Sequence, residues 1–204
     1  MPMPTNRNSE RGIALVLSLL LTLMMSVLAA SLMFLSQTET YASMNYRMMS
    51  QARFGAESGV HKAANFLLYE YDAPGTLGDP LDNYDMEASP VLNKLTGGPV
   101  VLSANTAVVP GNYPNADMQV AFGAAAKGEL PAGNGTVQYA ASATLISMQK
   151  VGNQTYTSWE ITSDGTIAGA RPATVTVTSF LEKQLTPGPG TLYAAFATAA
   201  HAAR

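Results

Sequence analysis

The chain has 204 residues, a formal net charge of −3 and no cysteine. The absence of cysteine excludes disulfides, thiolate catalysis and zinc–thiolate sites. Charged residues make up only 12% of the sequence, and Arg47, Arg53 and Lys62 are too scattered to form a phosphate-binding stripe, which argues against a nucleic-acid-binding protein.

A polar leader precedes a long apolar run near the N-terminus. After Arg11 no charged residue occurs before Glu39, and 12–35 is almost entirely apolar. As a helix this run is roughly 36 Å long, enough to cross a hydrocarbon core of about 30 Å. Arg7 and Arg11, just before the run, favour a cytoplasmic N-terminus and an exported C-terminal portion.

The apolar run has three interpretations: a cleaved secretion signal, a plain membrane anchor, or a helix that is built into an assembly. Val27, Leu28 and Ala29 resemble a small-residue signal-cleavage motif. Apolar residues continue past that motif as far as Leu35, and this continuation disfavours cleavage there.

A second helical pattern follows the apolar run without an intervening proline. A one-sided stripe recurs in steps of three or four residues: Tyr41, Met44, Met48, Ala52, Ala56, Gly59, Ala63, Phe66 and Leu67. The sequence therefore predicts a long helix over 13–71, transmembrane over 13–35 and amphipathic over 36–71, about 85 Å long if unbroken. Gly55 and Gly59 are where we expect it to bend or to admit a close neighbour.

Small side chains recur at every fourth position of the transmembrane segment, at Ala14, Ser18, Thr22, Ser26 and Ala30. We call this set the small-residue ridge. Such ridges let membrane helices pack closely, and their hydroxyls can bond across the contact. Because Ser, Thr and Ala are also common in membrane helices in general, a packing role and a merely compositional origin both stay open.

Three motifs in fixed order carry a family resemblance: the leader end SERG at 9–12, RGIALV at 11–16 and QARFGAESGV at 51–60. Together they resemble the PilX N-terminal family of type IV pilus minor pilins, over residues 9 to about 70. The resemblance implies that 1–12 is a prepilin-type leader, that a prepilin peptidase cuts between Gly12 and Ile13, and that the new amino group of Ile13 is methylated.

One position departs from the pattern of major pilins. In that pattern the fifth residue after the cut is a glutamate, which pairs with the methylated N-terminus of the adjacent subunit, whereas this chain has Leu17 there. A carboxylate left unpaired in lipid is costly, and leucine avoids that cost. The resemblance therefore implies a minor subunit, used rarely, rather than a bulk building block.

The C-terminal two-thirds divides by composition into three parts. Frequent proline and glycine make 72–135 irregular and loop-rich, with short edge or capping strands expected at 100–102, 108–109 and 120–122. Apolar alternation predicts an antiparallel β-meander over 136–186. The fold class is therefore α+β and pilin-like: a long N-terminal transmembrane/amphipathic helix packed on a small antiparallel β-sheet that covers Tyr41, Met44 and Met48.

The last part, 187–204, is alanine-rich after a Pro-Gly-Pro-Gly break and has no clear partner. A short helix, a tail, or the stump of a longer relative are the three readings that its composition leaves open.

The sequence contains no recognisable catalytic or metal-binding pattern. His61 and His201 are far apart in sequence and belong to no H-E-x-x-H motif, and we expect His61 to face solvent on the helix. The acidic loop at 79–87 lacks EF-hand spacing and is better interpreted as solvated than as a calcium site. We expect no enzymatic activity, no cofactor and no metal.

The sequence predicts a bacterial minor pilin-like subunit for type IV pilus assembly, stored in the membrane and inserted into the filament by its N-terminal helix. Its expected partners are inner-membrane lipid, prepilin peptidase, and other pilins and minor pilins through that helix. Its expected location is the inner membrane as a single-pass protein, and the pilus or cell surface after assembly. Two alternatives are a GspK-like minor pseudopilin of a type II secretion system and a single-pass membrane protein with an exported ligand-binding domain.

Overall fold

The computed structural model describes residues 7–75, 78–133, 135–152, 154–168, 172–185 and 194–201. The chain divides into two compact units, Met1–Tyr46 and Arg47–Arg204, and we name the second unit the head. Part of the predicted leader, 1–6, lies outside the described residues, as do 187–193 and 202–204 of the predicted tail.

The N-terminal element is one α-helix, α1, which spans Arg7–Tyr69. No proline interrupts it, so every backbone hydrogen bond of the helix can form. Among the described residues it is the one helix long and apolar enough to cross a membrane. A closing turn ends it, in which the amides of Glu70 and Tyr71 both donate to the Phe66 carbonyl at 2.9 Å. The helix thus ends within two residues of its predicted end.

The head is built on an antiparallel sheet of six strands in the order β3-β5-β6-β7-β8, with β4 also paired to β5. Its strands are β3 (Val101–Ser103), β4 (Lys127–Ala132), β5 (Gly135–Val151), β6 (Gln154–Ile167), β7 (Ala173–Leu185) and β8 (Ala194–His201). Two short strands, β1 (Tyr84–Asp85) and β2 (Leu92–Asn93), pair separately after the 3-10 turn Leu81–Asn83. The α+β fold class predicted from the sequence is confirmed.

Alternation along the long strands separates an inward face from an outward face. On β6 the residues Trp159 and Ile161 are fully buried, with partly exposed neighbours between them. The β5–β6 register shifts between Leu145 and Ser147, and this bulge turns Met148 rather than Ser147 into the core. One extra residue therefore keeps the apolar face of β5 continuous across an irregular point.

Glycine and alanine let α1 lie close to the sheet within the head. A Cβ added at Gly165 on β6 would collide with the Ala52 carbonyl oxygen and the Ala56 amide nitrogen, and one added at Gly59 would collide with Ser163 Oγ. One added at Gly55 would collide with the Val137 side chain. The expectation that Gly55 and Gly59 admit a close neighbour is confirmed, and the neighbour is the sheet.

The loop-rich part contains a helix that was not predicted. Residues 120–122, expected to form a strand, lie in helix α2 (Ala116–Ala125). The Asn115 side chain caps this helix by accepting from the amides of Asp117 and Met118 at 3.0 and 3.2 Å, a contact that favours helix over strand. Phe122 is fully buried edge-to-face against Phe66, 5.5 Å between ring centres. The strand prediction for 120–122 was wrong because local capping and one buried ring decide the conformation.

Two further expectations need correction. Residues 108–109 lie in a turn, where the amides of Val108 and Val109 donate to the Asn105 carbonyl, and not in a strand. Part of the alanine-rich end forms β8, paired with β7 from Thr176↔His201 to Lys183↔Ala194, instead of a helix or an unpaired tail. The free backbone edge of β7 supplies the partner that composition could not reveal.

The sheet does not cover the whole predicted stripe of the helix. Tyr41 and Met44, both in the N-terminal unit, stay 49% exposed. Met48, the first of the three that belongs to the head, is partly buried and packs against the head core. Along the predicted stripe, packing against the core of the head therefore starts at Met48.

Candidate functional site

The predicted cleavage junction lies within the first turns of α1. Gly12 has open space around it, since a Cβ placed there would meet nothing within 4 Å. The Ile13 side chain is 61% exposed. The junction is sterically open in this helix, and the roles assigned to Gly12 and Ile13 stay predictions.

The segment after the junction exposes its apolar side chains. From Ile13 to Leu35 every residue is exposed, and Leu17 is no exception. A surface of this extent is unfavourable in water, since each fully buried aliphatic side chain stabilises by about 1.5–3 kcal/mol relative to an exposed one. The segment therefore requires lipid or neighbouring helices around it.

The hydroxyls of the small-residue ridge bond to their own helix. Ser18 Oγ donates to the Leu15 carbonyl at 2.9 Å, Thr22 Oγ1 to the Ser18 carbonyl at 2.7 Å, and Ser26 Oγ to the Thr22 carbonyl at 2.9 Å. Intrahelical bonds of this kind satisfy a hydroxyl without any partner. The ridge can therefore lie in lipid without unsatisfied donors, while hydrogen bonding across a helix contact stays a prediction.

A buried lysine lies at the C-terminal end of α1. Lys183, on β7, is only 3% exposed, and its Nζ donates to the carbonyls of Leu67 at 2.7 Å and Tyr71 at 3.1 Å. Those bonds place a cation where the helix dipole is negative. Burial lowers the pKa of Lys183 to about 8, and the Asp72 carboxylate partly opposes that shift. The lysine joins the sheet to the helix end.

Beside this lysine, three tyrosines surround one buried carboxylate. Tyr84 donates to both oxygens of Asp79, at 2.8 and 2.9 Å, and Tyr113 donates to Asp79 Oδ2 at 3.1 Å. The hydroxyls of Tyr113 and Tyr71 lie 3.1 Å apart. Burial raises the pKa of Asp79 and of all three tyrosines. The cluster fastens the loop-rich part to the helix end.

The same cluster takes one carboxylate away from the surface of the acidic loop. Asp79 turns inward to the tyrosines instead of converging with the other acidic residues of the loop. Among the described residues no group of three or more His, Cys, Asp or Glu side chains is placed to hold a metal. His61, on α1, is exposed as expected.

An open cleft of about 640 Å³ lies beside β4 and β5. Its polar lining includes Glu129 and Asp164, and both carboxylates are already hydrogen-bonded, by Gln138 Nε2 at 2.8 Å and by Thr176 Oγ1 at 2.6 Å. Both carboxylates of this lining are therefore engaged by side chains of the sheet itself.

Sequence reasoning missed the buried lysine and the tyrosine cluster. Lys183 continues the inward positions Val175, Val177, Ser179 and Leu181 at a spacing of two. Because alternate residues of a strand face the same side, this spacing indicates that Lys183 is buried. The tyrosine cluster gave no comparable signal, because its members come from three separate segments outside the long helix and the long strands.

Comparison with known proteins gives one match. Residues 11–61 match the family model described as PilX N-terminal. No curated protein and no solved structure matches the chain. The match covers the apolar segment of α1 and the first turns packed on the head, and it supports a type IV pilus-related pilin. The resemblance to the PilX N-terminal family that the sequence motifs indicated is therefore confirmed over residues 11–61, a quarter of the chain.

Proposed function

We propose that this chain is a minor pilin-like subunit for type IV pilus assembly. The observation that carries the proposal is a family-matched helix whose 13–35 segment exposes only apolar and small side chains, while its later turns form the core of a folded head. A plain anchor has no need for a helix that continues without interruption into the head core.

In this proposal the apolar segment is stored in the inner membrane, with the N-terminus in the cytoplasm and the head exported. Prepilin peptidase cuts between Gly12 and Ile13 and the amino group of Ile13 is methylated. The segment then leaves lipid and packs against the helices of other pilins, which brings the head to the pilus or cell surface. Leu17 has no carboxylate with which the N-terminus of an adjacent subunit could pair. This favours a minor over a major subunit.

The cleavage step is tested by the mass of the protein in cells with and without prepilin peptidase. We expect the wild-type chain to lose residues 1–12 only when the peptidase is present. A Gly12→Val variant should keep them, because a branched side chain then occupies the position before the cut. The matched control is Gly135→Val, at another glycine with open space around it, and it should be processed normally. A leader retained in wild-type cells contradicts the proposal.

A GspK-like minor pseudopilin of a type II secretion system shares the same N-terminal helix and the same processing. Deleting the pilus or the secretion machinery separately distinguishes the two, because the protein leaves the membrane fraction only when its own machinery is present. A single-pass membrane protein with a ligand-binding head predicts an uncut Met1 and no filament partner.

A further inference from the structure

The outward face of the two central strands is polar. Its residues are Tyr156, Ser158, Glu160, Thr162, Asp164 and Thr166 on β6, and Thr174, Thr176, Thr178, Phe180, Glu182 and Gln184 on β7. We call this set the outer face. In one half of the outer face, threonine hydroxyls hydrogen-bond to each other across the two strands: Thr162 with Thr178 at 3.2 Å, and Thr166 with Thr174 at 3.3 Å.

The other half centres on an exposed ring. Phe180 is the one residue of the outer face without a polar side-chain atom, and it is 48% exposed. It lies directly opposite Glu160 in the register, and Glu182 follows two residues later on the same strand. Opposite pairs on one face have Cβ atoms about 5 Å apart, so a carboxylate lies beside the ring.

Among the residues that the structure describes, no ion pair joins a carboxylate of the outer face to a basic side chain. The outer face carries Glu160, Asp164 and Glu182 and no basic residue. Among the described residues the one ion pair is Arg53–Glu57, on α1. Lys127 shares the face but is two strands from Asp164, through the row Lys127↔Ala140↔Asp164, a distance of about 10 Å. The carboxylates around Phe180 therefore have no cation within this part of the chain.

The neighbouring strand β8 has no charged residue in register with Phe180 or Glu182. On β8 the residues in register with Phe180 and Glu182 are Ala197 and Ala195. A lone exposed apolar residue is ordinary on a protein surface. An aromatic ring between two unpaired carboxylates is more informative, since guanidinium groups stack on aromatic faces and bind carboxylates at the same time.

We propose that the part of the outer face formed by Phe180, Glu160 and Glu182 docks another protein through an arginine or lysine side chain. The cation lies over the Phe180 ring and pairs with the two carboxylates. The surface belongs to an open sheet face and not to a cavity, so it fits a protein surface better than a small ligand. This inference rests on the proposed function, and the partner is the exported domain of another pilus subunit.

The test uses the full-length chain in cells that assemble the filament. A photo-reactive phenylalanine derivative replaces Phe180, and in a matched control it replaces Thr174 on the same strand and face. We expect position 180, and not 174, to crosslink to a segment of another pilus subunit that contains Arg or Lys. A Glu160→Gln/Glu182→Gln double variant should lower the yield about tenfold, and high salt should lower it as well.

Charge reversal makes the test specific. Glu160→Arg should abolish the crosslink, and reversal of the mapped partner residue to Glu should restore it. Equal yields at 180 and 174, a crosslinked segment without a basic residue, a crosslink to lipid, or a yield insensitive to charge overturns the docking surface. Unchanged fluorescence of Trp159 checks that each variant head is folded. Retention of the leader in the same cells overturns the proposed function, whereas leader removal without a charge-dependent crosslink overturns the docking surface alone.

Discussion

Two parts of α1 carry small side chains at the same four-residue spacing, but only one of them is buried. In the N-terminal unit Ser18 and Thr22 are exposed, like the rest of the small-residue ridge. In the head Ala52 and Ala56 are fully buried. The difference is the partner: within the head a sheet lies against the helix, whereas the described chain offers the N-terminal segment no second surface.

The packed part shows what small residues achieve once a partner is present. Gly165 brings the backbone of β6 against the backbone of α1 at Ala52 and Ala56, with no room for a methyl group. Close approach of this kind maximises dispersion contacts, which decay steeply with distance. We therefore expect the small-residue ridge to serve the same purpose with a helix from another subunit, in a surrounding without water.

The close packing of α1 on the sheet is tested most directly at Gly165. In a Gly165→Ala variant the added methyl group meets backbone atoms of α1 that no rotamer change can move, so the free energy of unfolding should fall by about 3 kcal/mol, the upper end of ordinary overpacking costs. Urea unfolding is followed by the fluorescence of Trp159, the single tryptophan of the chain, which is fully buried in the head.

Gly135→Ala is the matched control for that variant, because Gly135 lies in the same sheet and an added Cβ there meets nothing within 4 Å. It should unfold at nearly the wild-type urea concentration. An equally stable Gly165→Ala protein contradicts the close approach of α1 to β6.

The exposed segment of α1 is tested with a Ser18→Leu/Thr22→Leu double variant. Both side chains are exposed and belong to the N-terminal unit, so unfolding of the head should stay unchanged. If the small-residue ridge packs against a neighbouring subunit, the bulk of two leucines should lower the share of protein in sheared filaments about tenfold. The measurement compares the filament fraction with the membrane fraction.

Ser31→Leu is the control, since Ser31 lies off the ridge and its hydroxyl likewise bonds its own helix, to the Val27 carbonyl at 2.9 Å. It should enter filaments normally. Equal incorporation of both variants favours the compositional origin of the ridge.

Periodicity explains which parts of this fold were predictable. The long helix and the strands β5, β6 and β7 repeat a simple apolar spacing, and they were found because burial on one face dictates that spacing. Helix α2 depends on the Asn115 cap and the contact of Phe122 with Phe66, and the second of these joins residues far apart in sequence. Strand β8 depends on the free edge of β7. Neither leaves a periodic signal in its own segment.

The same reasoning applies to the functional residues. Gly12, Ile13 and Leu17 follow from a linear motif, which sequence can supply without any folded structure. Lys183 needed the parity of β7 to be recognised as inward, and its two acceptors needed the end of α1 to be located in space. Roles that rest on a linear motif, such as those proposed for Gly12 and Ile13, can therefore be predicted from sequence, whereas roles that rest on tertiary contacts need the folded structure.

The smallest expected effect concerns the link between the sheet and the end of the packed helix. Because burial lowers the pKa of Lys183 to about 8 from an ordinary 10.5, the unfolded chain binds its proton more tightly than the folded chain does. Between pH 8 and about 9 the unfolded state therefore holds more protons on this lysine, and the free energy of unfolding should rise with pH. For one proton the slope is at most about 1.4 kcal/mol per pH unit.

From about pH 9 upward the raised pKa values of Tyr71, Tyr84 and Tyr113 act with the opposite sign, since the unfolded tyrosines ionise first. Urea unfolding of the full chain at several pH values from 8 to about 9 isolates the lysine. Lys183→Met should lose the rise in stability, because methionine binds no proton, whereas Lys127→Met, at an exposed lysine, should keep it. An equal slope in wild type and Lys183→Met means that Lys183 reaches solvent and does not hold the helix end.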